Sequence, residues 1–247
     1  LRNADALALP LRFAARTARE FGARSVGLIA PYLGYMRQDT RFHRGEAVST
    51  PLFAQFLEEA FDWLVTVDPH LHRVERLQSL YRIPAAHVSA TQAVARWIAE
   101  TVPDAVLIGP DSESEQWVAD IAARSGMPYQ VLAKERHGDY DVRVSLPDPA
   151  AVAGRAPVLI DDIVSSGHTI LETLAHLRRL SLPPPLLVAI HPVFAGDAYA
   201  RLQEAGLARI VSTDTIAHPS NAIALGADLA AAASTLMTAL TDFPEDP

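Results

Sequence analysis

The chain has no cysteine among its 247 residues. That absence excludes disulfides, thiolate metal sites and cysteine nucleophiles together. Long apolar runs are also missing, and no uninterrupted stretch approaches the roughly 20 residues that a membrane helix requires. There is no basic excess: 21 Lys and Arg stand against 29 Asp and Glu, for a formal net charge of −8. Such a balance repels phosphate backbones and argues against a general nucleic-acid surface. Neither a Walker-type glycine loop nor a Ser-His-Asp order occurs. No low-complexity segment and no secretory leader is found, so the expected compartment is the cytoplasm. The sequence opens on Leu1 rather than Met, and on a helical rather than a strand pattern, so a chain lacking its natural N-terminus is expected.

What is present is enough apolar content, 49%, for one large core or two modest ones. Strand patterns fall over 25–30, 63–67, 105–108, 129–133, 142–146, 158–160, 186–191 and 209–212. Helical patterns fall over 3–21, 50–59, 91–100, 113–125, 169–180, 197–204 and 226–240. Alternation of this kind predicts a mainly parallel sheet with right-handed crossovers. In the first helix Leu7, Leu11, Ala14, Ala18 and Phe21 fall at helical spacing on one side. An irregular stretch over 81–88 suggests a domain seam, and the Ala-rich last helix must pack on either block or on a subunit interface.

The richest segment runs from Val158 to Ile170. Val158, Leu159 and Ile160 read as a strand covered on both faces. Asp161 and Asp162 are expected just past its C-terminal end, where open α/β sheets bind ligands. Ser165, Ser166, Gly167, His168 and Thr169 then offer hydroxyls and backbone N–H groups at the start of a helix, a geometry that binds phosphate. Two hydroxyl-seeking carboxylates beside a phosphate cradle describe a sugar-phosphate site. An Asp-Asp pair alone would read as a helix cap; the whole pattern resembles the phosphoribosyl-pyrophosphate loop of phosphoribosyltransferase-fold proteins.

Other chemistry-bearing segments also follow strands. After 25–30, Arg37, Gln38, Asp39, Arg41 and Arg44 mix cations with aromatics, suiting phosphates and a purine, or equally a solvated loop. After 63–67, Asp68, His70 and His72 invite a metal reading, against which stands an ordinary Asp-His hydrogen bond; Asp68 and His70 share a side if the chain is extended. Asp111 follows 105–108 and reads alone as a cap. Lys134 and Arg136 enter a Gly-containing loop that is either an exposed hairpin tip or a closing element whose cations neutralise transferring phosphates. Cations, acids and a phosphate cradle together indicate phosphoryl or pyrophosphoryl transfer assisted by Mg²⁺.

The order of these motifs is specific. Pro31 to Asp39, Leu64 to His70, Pro110-Asp111, Lys134-Glu135-Arg136 and the Asp161 loop resemble the ribose-phosphate pyrophosphokinase family, as do His191-Pro192-Val193-Phe194 and Asp214-Thr215-Ile216. The resemblance implies an α/β protein of two phosphoribosyltransferase-like domains, each a mainly parallel sheet flanked by helices. It sets the domains at 1–84 and 85–222, with 223–247 as a helix packing back on them or on an interface. It implies an ATP- and Mg²⁺-dependent transferase that makes phosphoribosyl pyrophosphate and AMP from ribose 5-phosphate for nucleotide biosynthesis, and assembly as a homo-oligomer. By position, Lys134 and Arg136 would be catalytic, Arg37, Gln38, Asp39 and His70 would bind ATP, and His70, Asp111 and Asp68 would hold the metal. Asp161, Asp162, Ser165, Ser166, Gly167, His168 and Thr169 would bind ribose 5-phosphate.

The chain departs from the family in places. Ser165 to Thr169 replaces the common Asp-Thr-Gly-Gly-Thr, and His168 would crowd the loop unless its φ is negative. Glu113 and Glu115 add acids beside Asp111, and Glu135 stands where a third loop cation is common. These substitutions keep open a non-catalytic regulatory paralogue that binds nucleotide or phosphate. A transferase acting on a nucleobase fits less well, since it would not need the Arg37 block.

Overall fold

The computed structural model describes residues 2–41, 43–71, 76–132, 134–137, 141–144, 152–179 and 182–241, with backbone alone for 134–137, 141–144 and 241. His72, Gly138 and Asp139 lie outside the described residues, as do the last two positions of the strand expected over 142–146. In chain order the elements are α1 (Ala4–Glu20), β1 (Gly27–Ala30), α2 (Ser49–Glu58), β2 (Trp63–Val67), β3 (Ala85–Val88), α3 (Thr91–Thr101), β4 (Ala105–Gly109) and α4 (Glu115–Ser125). They continue as β5 (Tyr129–Val131), β6 (Lys134–His137), β7 (Asp141–Val144), β8 (Ala156–Ile163), α5 (His168–Arg179), β9 (Leu186–His191), α6 (Ala198–Glu204), β10 (Arg209–Thr213), β11 (Asn221–Ile223) and α7 (Gly226–Thr241).

The chain forms two units, Leu1–Ser89 with Gly226–Pro247, and Ala90–Leu225. The first holds a parallel sheet in the order β1-β2-β3. Ala85 to Val88, expected as part of an irregular seam, is a strand that pairs with Leu64 to Val67 in the first unit. Leu28, Ala30 and Leu64 join Ala15 of α1 and Ala54 and Leu57 of α2 in one core. Strand alternation turns Trp63, Val65 and Val67 to the other face, and α7 lies against β2 and β3. In α1 Ala4 and Ala15 are buried; of the stripe expected, Leu11 and Ala18 are half-buried, while Leu7, Ala14 and Phe21 are exposed. Small residues let the helix approach the sheet, and Phe21 is left 88% exposed.

The second unit holds a six-stranded parallel sheet, β11-β10-β9-β8-β4-β5. Ile108, Leu159, Leu187 and Ala189 point to the side of α5 and α6, where Ile170, Leu174, Leu177 and Leu202 complete a core. Leu107, Val158, Ile160 and Val188 are equally buried on the opposite face. Cover on both faces explains why these strands read as continuous apolar runs. β6 and β7 form a separate antiparallel pair, so Lys134 and Arg136 lie on a strand rather than in a loop. Among the described residues no helix is long and apolar enough to cross a membrane.

Candidate active site

In the second unit the chain passes from β4 through α4 to β5 on one side, and from β8 through α5 to β9 on the other. β4 and β8 are neighbours, with Ile108 opposite Leu159, so the direction of winding reverses between them. A crevice opens at such a switch point, outside the carboxyl ends of the strands. The turn after β4 carries Asp111, and the end of β8 carries Asp161 and Asp162. Sequence-predicted residues from 50 positions apart are thus brought to adjacent strand ends.

Asp161 and Asp162 are not beyond the strand, as expected, but within it. β8 extends to Ile163 because pairing with β9 continues through Asp161 opposite Ala189 and Ile163 opposite His191. Both carboxylates are half-buried, and Asp162 Oδ1 accepts from the N–H of Ile163 at 2.7 Å. The loop that follows is tied to the end of β9. The N–H of Val164 donates to the His191 carbonyl at 3.2 Å, that of Phe194 to the Val164 carbonyl at 2.8 Å, and that of Ala195 to the Ser165 carbonyl at 3.0 Å. Gly167 takes φ +73° and His168 opens α5 with a φ outside the positive region, so the imidazole does not force the backbone. Its Nδ1 lies 3.1 Å from Ser166 Oγ, and the side chain is exposed.

Asp111 caps the 3₁₀ turn Ser112–Ser114: its Oδ1 accepts from the N–H groups of Glu113 at 3.1 Å and Ser114 at 3.2 Å. Ser114 Oγ returns a bond to the Asp111 carbonyl, closing the turn. The turn can sit so near β4 because Gly109 has no side chain; a Cβ there would lie 2.4 Å from Ser114 Oγ. Glu113 and Glu115 are exposed beside it.

In the first unit, β1 and β2 end side by side, with Ala30 opposite Thr66 and the N–H of Val67 donating to the Pro31 carbonyl at 3.1 Å. The Arg37 loop and the Asp68 to His70 turn therefore share one sheet end. Gln38 is anchored by the start of α2: its Oε1 accepts from Ser49 Oγ at 3.0 Å and its carbonyl from the N–H of Thr50 at 3.2 Å. Thr50 Oγ1 donates to the Tyr35 carbonyl at 2.7 Å. Arg37 is exposed and Asp39 half-buried. Arg41 is used within its own loop, its Nε donating to the Glu46 carbonyl at 2.7 Å, and Glu46 also accepts from the N–H of His43 at 2.9 Å. A hydrogen bond to Asp5 pushes the Tyr35 phenol above its ordinary pKa.

Asp68 has φ +31°, so the chain here is not extended, the condition on which Asp68 and His70 were expected to share a side. Asp68 is buried, its N–H bonded to the Val88 carbonyl at 3.1 Å, while His70 is half-buried. Among the described residues no group of three or more His, Asp or Glu side chains could hold a metal ion. Asp68 and His70 belong to one unit and Asp111 to the other.

Three non-glycine residues among those described have positive φ: Tyr35, Asp68 and Phe194. They follow β1, β2 and β9, the first two in segments that carry candidate residues. Such conformations cost about 1–3 kcal/mol each and persist where the surroundings enforce them, commonly at functional sites. No sequence signal marked Ser49, Thr50 or Leu202 as supports of these loops, since each meets its loop only in the folded chain. A decoy is also resolved. Arg16 and Arg19 of α1 line a groove but pair with Glu20 at 3.8 Å and Asp62 at 2.9 Å, and Arg12 pairs with Glu59, so their charge is already matched.

Known proteins match this chain along most of its length. Residues 83–218 match the phosphoribosyl transferase domain, and residues 4–60 match the N-terminal domain of ribose phosphate pyrophosphokinase. The chain is 34% identical over 221 residues to the ribose-phosphate pyrophosphokinase of Methanopyrus kandleri, covering 89% of this chain and 75% of that one. It is 34% identical over 204 residues to the enzyme of the same name from Saccharolobus solfataricus, covering 82% and 69%. The crystal structure of phosphoribosylpyrophosphate synthetase from Mycobacterium smegmatis superposes with a TM-score of 0.76 at 24% identity, over 95% of this chain and 78% of that one.

Proposed function

The chain belongs to the ribose-phosphate pyrophosphokinase family, and on that footing we propose that it moves the diphosphate group of ATP to ribose 5-phosphate. The products are phosphoribosyl pyrophosphate and AMP, which serve nucleotide biosynthesis. The observation that carries this reading is the switch point between β4 and β8, which brings the Asp111 turn, the Asp161-Asp162 pair and the 165–169 loop to adjacent strand ends.

In this reading Asp161 and Asp162 accept hydrogen bonds from the ribose hydroxyls. Ser165, Ser166, Gly167, His168 and Thr169 hold the 5-phosphate through amides, hydroxyls and the N-terminus of α5. Arg37 and Gln38 bind ATP, with Asp39 ordering their loop and His70 a further contact. The anomeric oxygen attacks the β-phosphorus, the bond to the α–β bridging oxygen breaks, and AMP departs with that oxygen while the hydroxyl proton passes to solvent. Lys134 and Arg136 stabilise the negative charge on the group in flight. Bound Mg²⁺ would supply charge neutralisation on the phosphates. Single donors such as His70, Asp111 and the buried Asp68 suit an ion that keeps several waters and takes its other ligands from substrate phosphates. ATP and phosphorylated sugars are cytoplasmic metabolites, so the chain works there. Leu9 and Phe13, exposed side by side on α1, support assembly into a homo-oligomer.

A second reading, a regulatory paralogue without activity, is favoured by Glu113 and Glu115, which put exposed negative charge beside an anion site. AMP release from ATP, Mg²⁺ and ribose 5-phosphate separates the two. Sugar-dependent AMP that falls about 100-fold or more in Lys134→Ala supports the kinase. Absence of AMP, with nucleotide or phosphate still bound, supports the paralogue.

A further inference from the structure

The loop after β8 owes its shape to a residue outside it. Phe194 donates its N–H to the Val164 carbonyl and Ala195 its N–H to the Ser165 carbonyl, at 2.8 and 3.0 Å. No cis peptide occurs among the described residues, and in a trans peptide the N–H of the next residue points opposite to the carbonyl. Fixing the carbonyls of Val164 and Ser165 towards Phe194 and Ala195 therefore turns the N–H groups of Ser165 and Ser166 the other way, to the ligand side of the loop. The chain bends sharply where it makes these two bonds, with Phe194 at φ +39°.

A buried aromatic residue is a poor occupant of that region, where glycine is the usual choice. The surroundings enforce it. Phe194 is 3% exposed, and its ring centroid lies 5.1 Å from that of Tyr199 and 4.7 Å from that of His218. Tyr199 and His218 meet edge to face at 4.5 Å, so the three rings close on one another. His218 is itself fixed, since the N–H of Ser220 donates to its Nδ1 at 3.2 Å.

We propose that Phe194 is a positioning residue for sugar-phosphate binding, held by Tyr199 and His218 so that the amides of Ser165 and Ser166 face the phosphate. The proposal rests on the ribose 5-phosphate reading above. Its chemistry is indirect: Phe194 touches no substrate and acts through the peptide planes of the loop.

The test uses Phe194→Leu, which keeps an apolar side chain in the core, and Tyr199→Leu, which removes one wall of the cluster. Each is compared with the unchanged chain in KM for ribose 5-phosphate, KM for ATP, kcat, ribose 5-phosphate binding by calorimetry without nucleotide, and thermal unfolding. Both variants are expected to weaken ribose 5-phosphate about tenfold in KM and in Kd, with KM for ATP within about twofold. A residue that only supports the fold would lower the melting temperature and the active fraction, hence kcat, and leave KM and Kd unmoved; that result overturns the proposal alone. If the unchanged chain neither binds ribose 5-phosphate nor makes AMP in its presence, the sugar-phosphate reading falls and the proposal with it.

Discussion

Gly167 faces Leu202 so closely that a Cβ on the glycine would lie 3.1 Å from Leu202 Cδ1, at a residue whose φ is +73°. Two independent constraints thus demand glycine at the centre of the loop. Gly167→Ala is expected to lose about 1–2 kcal/mol from the left-handed backbone alone, with further loss if Leu202 cannot withdraw. A lower melting temperature and a raised KM for ribose 5-phosphate would be seen together. A variant with native stability and KM would show that the loop relaxes freely.

Asp111 does two jobs in our reading, and they can be separated. Asp111→Ala removes the cap of the Ser112–Ser114 turn, at a cost of about 1 kcal/mol. Asp111→Asn keeps a capping oxygen and should restore most of that stability. If the charge also serves Mg²⁺–ATP, the Asn variant folds like the unchanged chain yet has a KM for Mg²⁺–ATP raised about tenfold. Full activity in Asp111→Asn would reduce the residue to a cap.

At His168 the backbone is not left-handed, and the side chain is exposed. His168→Ala should therefore change stability by less than about 0.5 kcal/mol, read by denaturant unfolding. A gain beyond that would mean that the imidazole strains the loop after all.

Burial, with Glu58 a lesser influence, pushes the Tyr81 phenol well above its ordinary value of 10.0. The folded state thus keeps the phenol proton at pH values where the unfolded chain releases it. Stability is undiminished below about pH 10 and falls as pH rises from there towards the folded pKa. Denaturant unfolding at several pH values above and below 10 should show this decline, and Tyr81→Phe should remove that part of it. An identical decline in Tyr81→Phe would assign the effect to other groups.

Much of the architecture was legible because it follows from local composition. The apolar runs at 63–67 and 186–191 became β2 and β9 with those bounds, since strands buried on both faces carry their signal in every residue. Ala85 to Val88 carries little such signal and reads as irregular; it is a strand because β2 pairs with it. The same reason explains Asp161 and Asp162. Carboxylates look like the end of a strand, but a neighbouring strand holds the backbone in register beyond them. In α1, apolar residues occupy several faces, and the core takes Leu11 and Ala15 while Leu7 and Phe21 stay exposed. The candidate site was legible as a set of segments and not as a geometry. The positive φ values of Asp68 and Phe194 are imposed by contacts distant in sequence, and nothing in the residue types announces them.

The course of the chain through α7 has a consequence for how the protein is made. The first unit contains β1, β2 and β3, all complete by Val88, yet the helix that lies against β2 and β3 begins at Gly226. During synthesis the face bearing Val65 and Val67 must wait for α7 while the whole second unit is made. A domain that emerges first is the last to be finished, and its exposed apolar face in that interval is where a ribosome-bound chain would need protection from aggregation.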